Sequence, residues 1–133
     1  SLRIGYVIAS EHHIEEMTKV RGPYAVNMAA HIAASAALDD TENMEMYVQE
    51  VMVKAKPLVE LFFKKNNVPF YESGANFILF KPRNRQKVYE HLKNNNILIR
   101  PQSTKGMEDM LRVSIGTVKQ MKRFIKVYSQ LFG

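Results

Sequence analysis

Val68-Pro69-Phe70-Tyr71-Glu72-Ser73-Gly74-Ala75-Asn76-Phe77-Ile78-Leu79-Phe80 holds two short runs rich in aromatic and branched residues, Val68–Tyr71 and Asn76–Phe80, around Glu72-Ser73-Gly74. Such runs read as two strands about a turn. Downstream, Pro82-Arg83-Asn84 precedes a helix expected from about Arg85 to Lys93. Ile97-Leu98-Ile99-Arg100 reads as a third strand, Pro101 to Asp109 as a polar loop, and Leu111 to Ile115 as a fourth strand. Thr117 is placed to cap a last helix reaching Leu131. The order from residue 68 is β-β-α-β-β-α, which predicts an α+β domain: a small sheet with helices on one face.

Upstream the texture differs. Leu2 to Ala9 is mostly apolar with Ile4, Val7 and Ile8, and predicts a strand; Ser10 is a suitable N-cap for a helix over Glu11 to Val20. Arg21-Gly22-Pro23 breaks that helix. Asn27 opens the alanine-rich stretch Met28 to Leu38, whose small side chains predict a closely packed, buried helix. Asp39-Asp40-Thr41 caps a third helix over about Glu42 to Lys65, where Met44, Val48, Val51, Ala55, Leu58, Val59 and Phe62 recur at steps of three and four. Pro57 falls inside it and predicts a kink or a join.

The chain has 133 residues, 46% hydrophobic and 24% charged, which suits a globular core and argues against disorder. Its longest unbroken apolar stretch, Phe77–Phe80, is too short to span a bilayer as a helix, so no membrane role is expected. The absence of cysteine removes disulfides, thiolate nucleophiles and cysteine-ligated metals, and fits a cytoplasmic location. The first residues, Ser1 to Tyr6, show no charged leader followed by an apolar run, and no secretion signal is expected. Net charge is +6. Its densest cluster, Lys119, Lys122, Arg123 and Lys126, lies on one side of a helix whose other side carries Met121, Phe124, Ile125, Val127, Tyr128 and Leu131. That is the pattern of a solvated helix face, and no nucleic-acid partner is expected.

Three arginines stand apart from that face. Arg100 ends one predicted strand and Arg112 lies within another, Met110-Leu111-Arg112-Val113-Ser114-Ile115-Gly116. A guanidinium among strand apolars is costly to desolvate without an anion, and its fork matches carboxylate or phosphate. Two readings stay open: a clamp on an anionic ligand, or two structural ion pairs with Asp or Glu. Arg3, in Leu2-Arg3-Ile4-Gly5-Tyr6-Val7, poses the same choice. The histidines are adjacent (His12, His13) or isolated (His31, His91), and none has the spacing of a helical metal pair, so no metal is expected. Lys19, Lys54 and Lys56 read as solvated.

Five segments, in order, resemble the pyridoxal-phosphate-dependent aminotransferases of the aspartate-aminotransferase fold, most closely their histidinol-phosphate branch. They are Leu2-Arg3-Ile4-Gly5-Tyr6-Val7-Ile8-Ala9, Arg21-Gly22-Pro23-Tyr24-Ala25-Val26-Asn27, Gly74-Ala75-Asn76-Phe77-Ile78-Leu79-Phe80, Asn96-Ile97-Leu98-Ile99-Arg100, and Leu111-Arg112-Val113-Ser114-Ile115-Gly116-Thr117. The resemblance implies that residues 1–39 are the end of a cofactor-binding large domain, 40–66 an inter-domain helix and 67–133 the small domain. It implies that Arg3 binds the phosphate of pyridoxal 5'-phosphate, that Arg112 binds the substrate's acidic group and Arg100 is the second arginine, associated with the phosphate of histidinol phosphate, and that Asn76 faces the substrate or serves the strand edge. It also implies a Schiff-base lysine just upstream of Ser1, so that the 133 residues alone are expected to be inactive. The full-length parent is then expected to be a homodimer acting on a phosphorylated or carboxylate small molecule. Its reaction would pass an amino group between histidinol phosphate and 2-oxoglutarate or glutamate in histidine biosynthesis. The alternatives are a threonine-phosphate decarboxylase or an aromatic aminotransferase, or a non-catalytic anion-binding module.

Overall fold

The computed structural model describes residues 2–132, which fall into two units, residues 2–44 and 45–132. In the first unit the helix after Ser10 forms as α1 (Glu11–Val20) and the alanine-rich helix as α2 (Met28–Asp39). Asn27 caps α2, its side-chain oxygen accepting from Ala30 N–H at 2.8 Å. Two expectations fail here. Residues 2–9 form no strand: Arg3 sits at φ 56°, a left-handed turn that an extended run cannot contain, and Asn27 Nδ2 donates to the Leu2 carbonyl at 3.3 Å. Nor is α2 buried. Ala30 is its one buried residue and Ala34 is half-buried, while Met28, Ile32 and Leu38 are each more than half exposed. Packing and not composition decides burial, and among its described residues this unit has no apolar layer to set against α2.

The chain enters the second unit along α3 (Thr41–Val48). The single kinked helix expected up to Lys65 is in fact three stretches: α3, a π-helical stretch over Gln49–Ala55, and α4 (Lys56–Lys65). Pro57 has no N–H and its ring crowds the carbonyl one turn back. The wider turns just before it absorb this, with Lys56 N–H donating to the Val51 carbonyl five residues earlier.

Both α4 and α5 (Arg85–Asn94) end in the same way. Asn67 and Asn96 adopt φ 51° and 58°, and the next residue's N–H turns back to the helix, Val68 to Phe63 at 2.9 Å and Ile97 to Leu92 at 2.9 Å. This is the Schellman closure, with an apolar contact between each pair of residues. It also explains why two strands are shorter than expected. Val68 and Ile97 are spent on the helix caps, so pairing begins only at β1 (Phe70–Tyr71) and β3 (Arg100–Pro101). The other strands, β2 (Phe77–Phe80) and β4 (Leu111–Ser114), form within one residue of expectation.

The strand order is β1-β2-β4-β3, antiparallel throughout, with Phe80 opposite Leu111 and Ile78 opposite Val113. Those four side chains are buried on one face. Against them α4 and α6 (Val118–Ser129) supply Phe62, Phe63, Phe124 and Tyr128. Phe63 lies at the centre, fully buried, stacked on Phe80 with ring centroids 4.7 Å apart and edge-on to Phe124 and Tyr128 at 6.3 Å. The basic residues of α6 point outward, as expected. Its start is doubly secured: Thr117 and Gln120 form a reciprocal capping box, and Glu50 Oε1 accepts from Val118 N–H at 2.9 Å.

Burial pushes the Tyr128 phenol well above its ordinary value of 10.0. The unfolded chain then ionises this group before the folded chain does, so its contribution is intact below pH 10 and is lost as the pH rises further. The expected slope is about 1.4 kcal/mol per pH unit from this one group. Urea unfolding between pH 8 and pH 11 should fall more steeply for the unaltered chain than for Tyr128→Phe. Equal slopes would show that the phenol is not shielded.

Candidate functional site

Alternation along the strands sends the remaining side chains to the face of the sheet away from α4 and α6. Register sets one row across all four strands: Tyr71 beside Leu79, Leu79 beside Arg112, and Arg112 beside Arg100. Directly opposed residues on antiparallel strands have Cβ atoms about 5 Å apart. The two arginines predicted from separate strands are therefore neighbours. Phe77, one step along β2, lies under the Arg112 guanidinium, 5.0 Å from Cζ to the ring centroid.

Neither Arg100 nor Arg112 has an acidic partner within 4.0 Å among the described residues; the ion pairs there are Lys19–Glu16, Lys56–Glu60 and Lys81–Asp109. Arg112 Nε is buried with nothing accepting its hydrogen. A buried donor left unmet is destabilising, more so when charged, and two like charges directly opposed on a sheet add to that. An anion between the two forks offsets both effects. The Lys81–Asp109 pair at the end of the sheet is exposed; the hydrogen bond between the two, and then their mutual attraction, raises the pKa of the lysine and lowers that of the carboxyl.

On the strands next to Arg112 is a cleft of about 390 Å³ whose lining includes Tyr71, Phe77, Leu79, Met107 and Met110, with the acidic Glu72 at one side. Its walls are chiefly apolar and aromatic, and two of them adjoin Arg112: Phe77 lies under its guanidinium and Leu79 stands opposite it on the neighbouring strand. Asn76 has an exposed side chain, and its carbonyl accepts from Ile115 N–H at 2.8 Å, extending the β2–β4 pairing. Arg3 belongs to the first unit. It is exposed and has no acidic partner among the described residues.

Arg100→Thr removes the opposed charge. It is expected to raise the stability of the chain by about 0.2–1 kcal/mol, read from the midpoint of urea unfolding, while weakening the hold on phosphate. A loss of stability would mean that Arg100 has an internal partner.

Two features of this region were not read from the sequence. Phe77 was assigned to a strand but not to Arg112, because only register brings β2 and β4 together. Lys56, against the expectation of a solvated side chain, is 7% exposed and its ammonium donates to the Ser73 carbonyl. The signal was present: Lys56 stands on the apolar stripe of Met52, Val59 and Phe63, four before, three after and seven after it.

A sheet with two opposed arginines, neither with an acidic partner among the described residues, and an apolar cleft against one of them suits small molecules with an acidic group. Comparison with known proteins makes the class specific. The profile of the family described as aminotransferase class I and II matches residues 1–127. The chain belongs to that family. It is 40% identical over 132 residues to a histidinol-phosphate aminotransferase 2 of Oceanobacillus iheyensis, covering 97% of this chain and 35% of that protein. It is 32% identical to a histidinol-phosphate aminotransferase of Vesicomyosocius okutanii subsp. Calyptogena okutanii, covering 98% and 37%. The chain thus spans about a third of the length of these relatives. The crystal structure of an L-threonine-O-3-phosphate decarboxylase from Porphyromonas gingivalis shares the fold, with TM-score 0.76, 24% identity and coverage of 98% of this chain and 42% of that one.

Proposed function

We propose that these 133 residues are the substrate-gripping part of a pyridoxal-phosphate-dependent aminotransferase that passes an amino group between histidinol phosphate and 2-oxoglutarate or glutamate. The observation that carries this reading is the Arg100–Arg112 pair, opposed on neighbouring strands, without an acidic partner among the described residues, and with one buried donor unmet. The enzyme must grip a phosphate in one half-reaction and a dicarboxylate in the other. Two guanidinium forks side by side can accept either anion, which a lysine's point charge does less well.

Each chain residue then has a stated task. Arg112, stiffened by the Phe77 ring, donates its fork to the acidic group, and Arg100 supplies a second fork from the neighbouring strand. The apolar cleft excludes water around the substrate body. Arg3 fits the cofactor's phosphate, being an exposed fork without a competing carboxylate, and its left-handed turn is held by the Asn27–Leu2 bond at the start of α2. Pyridoxal phosphate, when bound, supplies the electron sink that lets the substrate Cα release its proton. The reaction belongs to a whole protein in which these residues join the two thirds that their relatives possess. By themselves they are expected to hold the anion without turning it over.

A hybrid enzyme tests this. Residues 1–133 replace the matching third of the Oceanobacillus relative, and amino transfer from histidinol phosphate to 2-oxoglutarate is followed. Turnover comparable with the unaltered relative is expected. Release of carbon dioxide from threonine phosphate without amino transfer would favour the decarboxylase reading, and turnover of phenylalanine alone an aromatic aminotransferase.

A further inference from the structure

We infer that Lys56 is the positioning residue of the Arg112 grip: from the first turn of α4 it holds the turn at residues 73–76, and through that turn the Phe77 ring beneath the guanidinium. This rests on the reading of Arg112 as the anion holder.

A lysine 7% exposed is rare, because an ammonium leaves water at high cost unless its hydrogens are met. Lys56 meets that cost at one main point, the Ser73 carbonyl, while Glu60 on its own helix is 3.9 Å away and partly exposed. The bond joins α4 to a turn 17 residues later, where little else fixes the chain. Ser73 Oγ accepts from Ala75 N–H at 3.1 Å, a tie within the turn, and Gly74 has open space around it. The next anchor is the Asn76 carbonyl, which accepts from Ile115 N–H at 2.8 Å. Phe77 follows directly and lies 5.0 Å from Arg112 Cζ. Ser73 and Phe77 also line the same cleft. The Lys56 bond is thus the link between the helical layer and the turn from which the ring emerges. Without it the turn keeps its internal tie and the strand pairings at its two ends, Tyr71 opposite Leu79 and Phe77 opposite Ser114, but loses its link to the helical layer, and the ring is held less firmly against the guanidinium.

The test uses nuclear magnetic resonance on the 133-residue chain, with inorganic phosphate as probe. In the phosphate-free chain the Phe77 ring, 5.0 Å from Arg112 Cζ, is expected to shift the Arg112 Nε–H signal, and Phe77→Leu gives the position without that ring. Lys56→Met is expected to move the signal most of the way to the Phe77→Leu position and to weaken phosphate binding about fivefold or more. Lys56→Arg, which still reaches the carbonyl, is expected to stay within about twofold of the unaltered chain. A Lys56→Met chain that melts earlier but keeps both the Arg112 signal and the phosphate affinity would overturn the inference, leaving Lys56 a purely structural group.

If Lys56→Met does not fold, the unaltered chain decides. The Lys56 ammonium and Arg112 Nε–H signals should then follow one binding curve, and a Lys56 signal that stays still would overturn the positioning role. The reading of the site fails separately, if phosphate leaves Arg112 Nε–H unmoved in the unaltered chain. A ring-current shift that still depends on Lys56 would then support the positioning role on its own.

Discussion

Replacing Arg112 with methionine in the hybrid enzyme is expected to lower kcat/KM for histidinol phosphate by a factor on the order of 10² to 10³. The figure follows from losing two charge-assisted hydrogen bonds at about 1.5–3 kcal/mol each, partly offset by Arg100 beside them. Arg112→Lys keeps the charge but not the fork, and about a tenfold loss is expected, chiefly in KM. Methionine keeps the apolar contact with Phe77, so both variants should retain the circular dichroism of the unaltered hybrid. A kcat/KM within threefold for Arg112→Met would move the anion elsewhere.

The second large effect is on stability. Phe63→Ala empties the centre of the second unit, where one ring meets Phe80, Phe124 and Tyr128. Truncating a fully buried phenylalanine costs about 3–5 kcal/mol, a large part of what a domain of this size has. The variant is expected to lose its cooperative thermal transition or to shift it down by well over 10 °C, followed by circular dichroism. Phe62→Ala, at the cluster's edge and 8% exposed, should cost less. Equal losses would mean that the core is not organised around Phe63.

How far each feature could be read beforehand follows from the range of the interaction behind it. The α6 face and the two central strands were legible because periodicities of 3.6 and two bury Phe124 and Tyr128, or Ile78 and Phe80, regardless of the rest of the chain. The shortened β1 and β3 were not, since a Schellman closure claims Val68 and Ile97 before the sheet can. An Asn-Asn pair before an apolar residue was the available cue at both places. The missing strand at residues 2–9 is a failure of another kind. An apolar run becomes a strand only beside a partner, and no described strand pairs with it. At the site, Arg100 and Arg112 were individually legible as charges in apolar strands. That they stand opposite one another, over Phe77, is a matter of register, which no single segment encodes.

The central claim is that an anion borne by the substrate settles on the Arg112–Arg100 pair. The most direct measurement compares two ligands differing only in that anion, histidinol phosphate and histidinol, titrated into the 133-residue chain while the arginine Nε–H signals are recorded. Histidinol phosphate should move Arg112 Nε–H downfield as its unmet hydrogen gains an acceptor, with Arg100 following on the same curve, and histidinol should move neither. An Arg112 signal that ignores histidinol phosphate, or that responds equally to both ligands, would contradict the account.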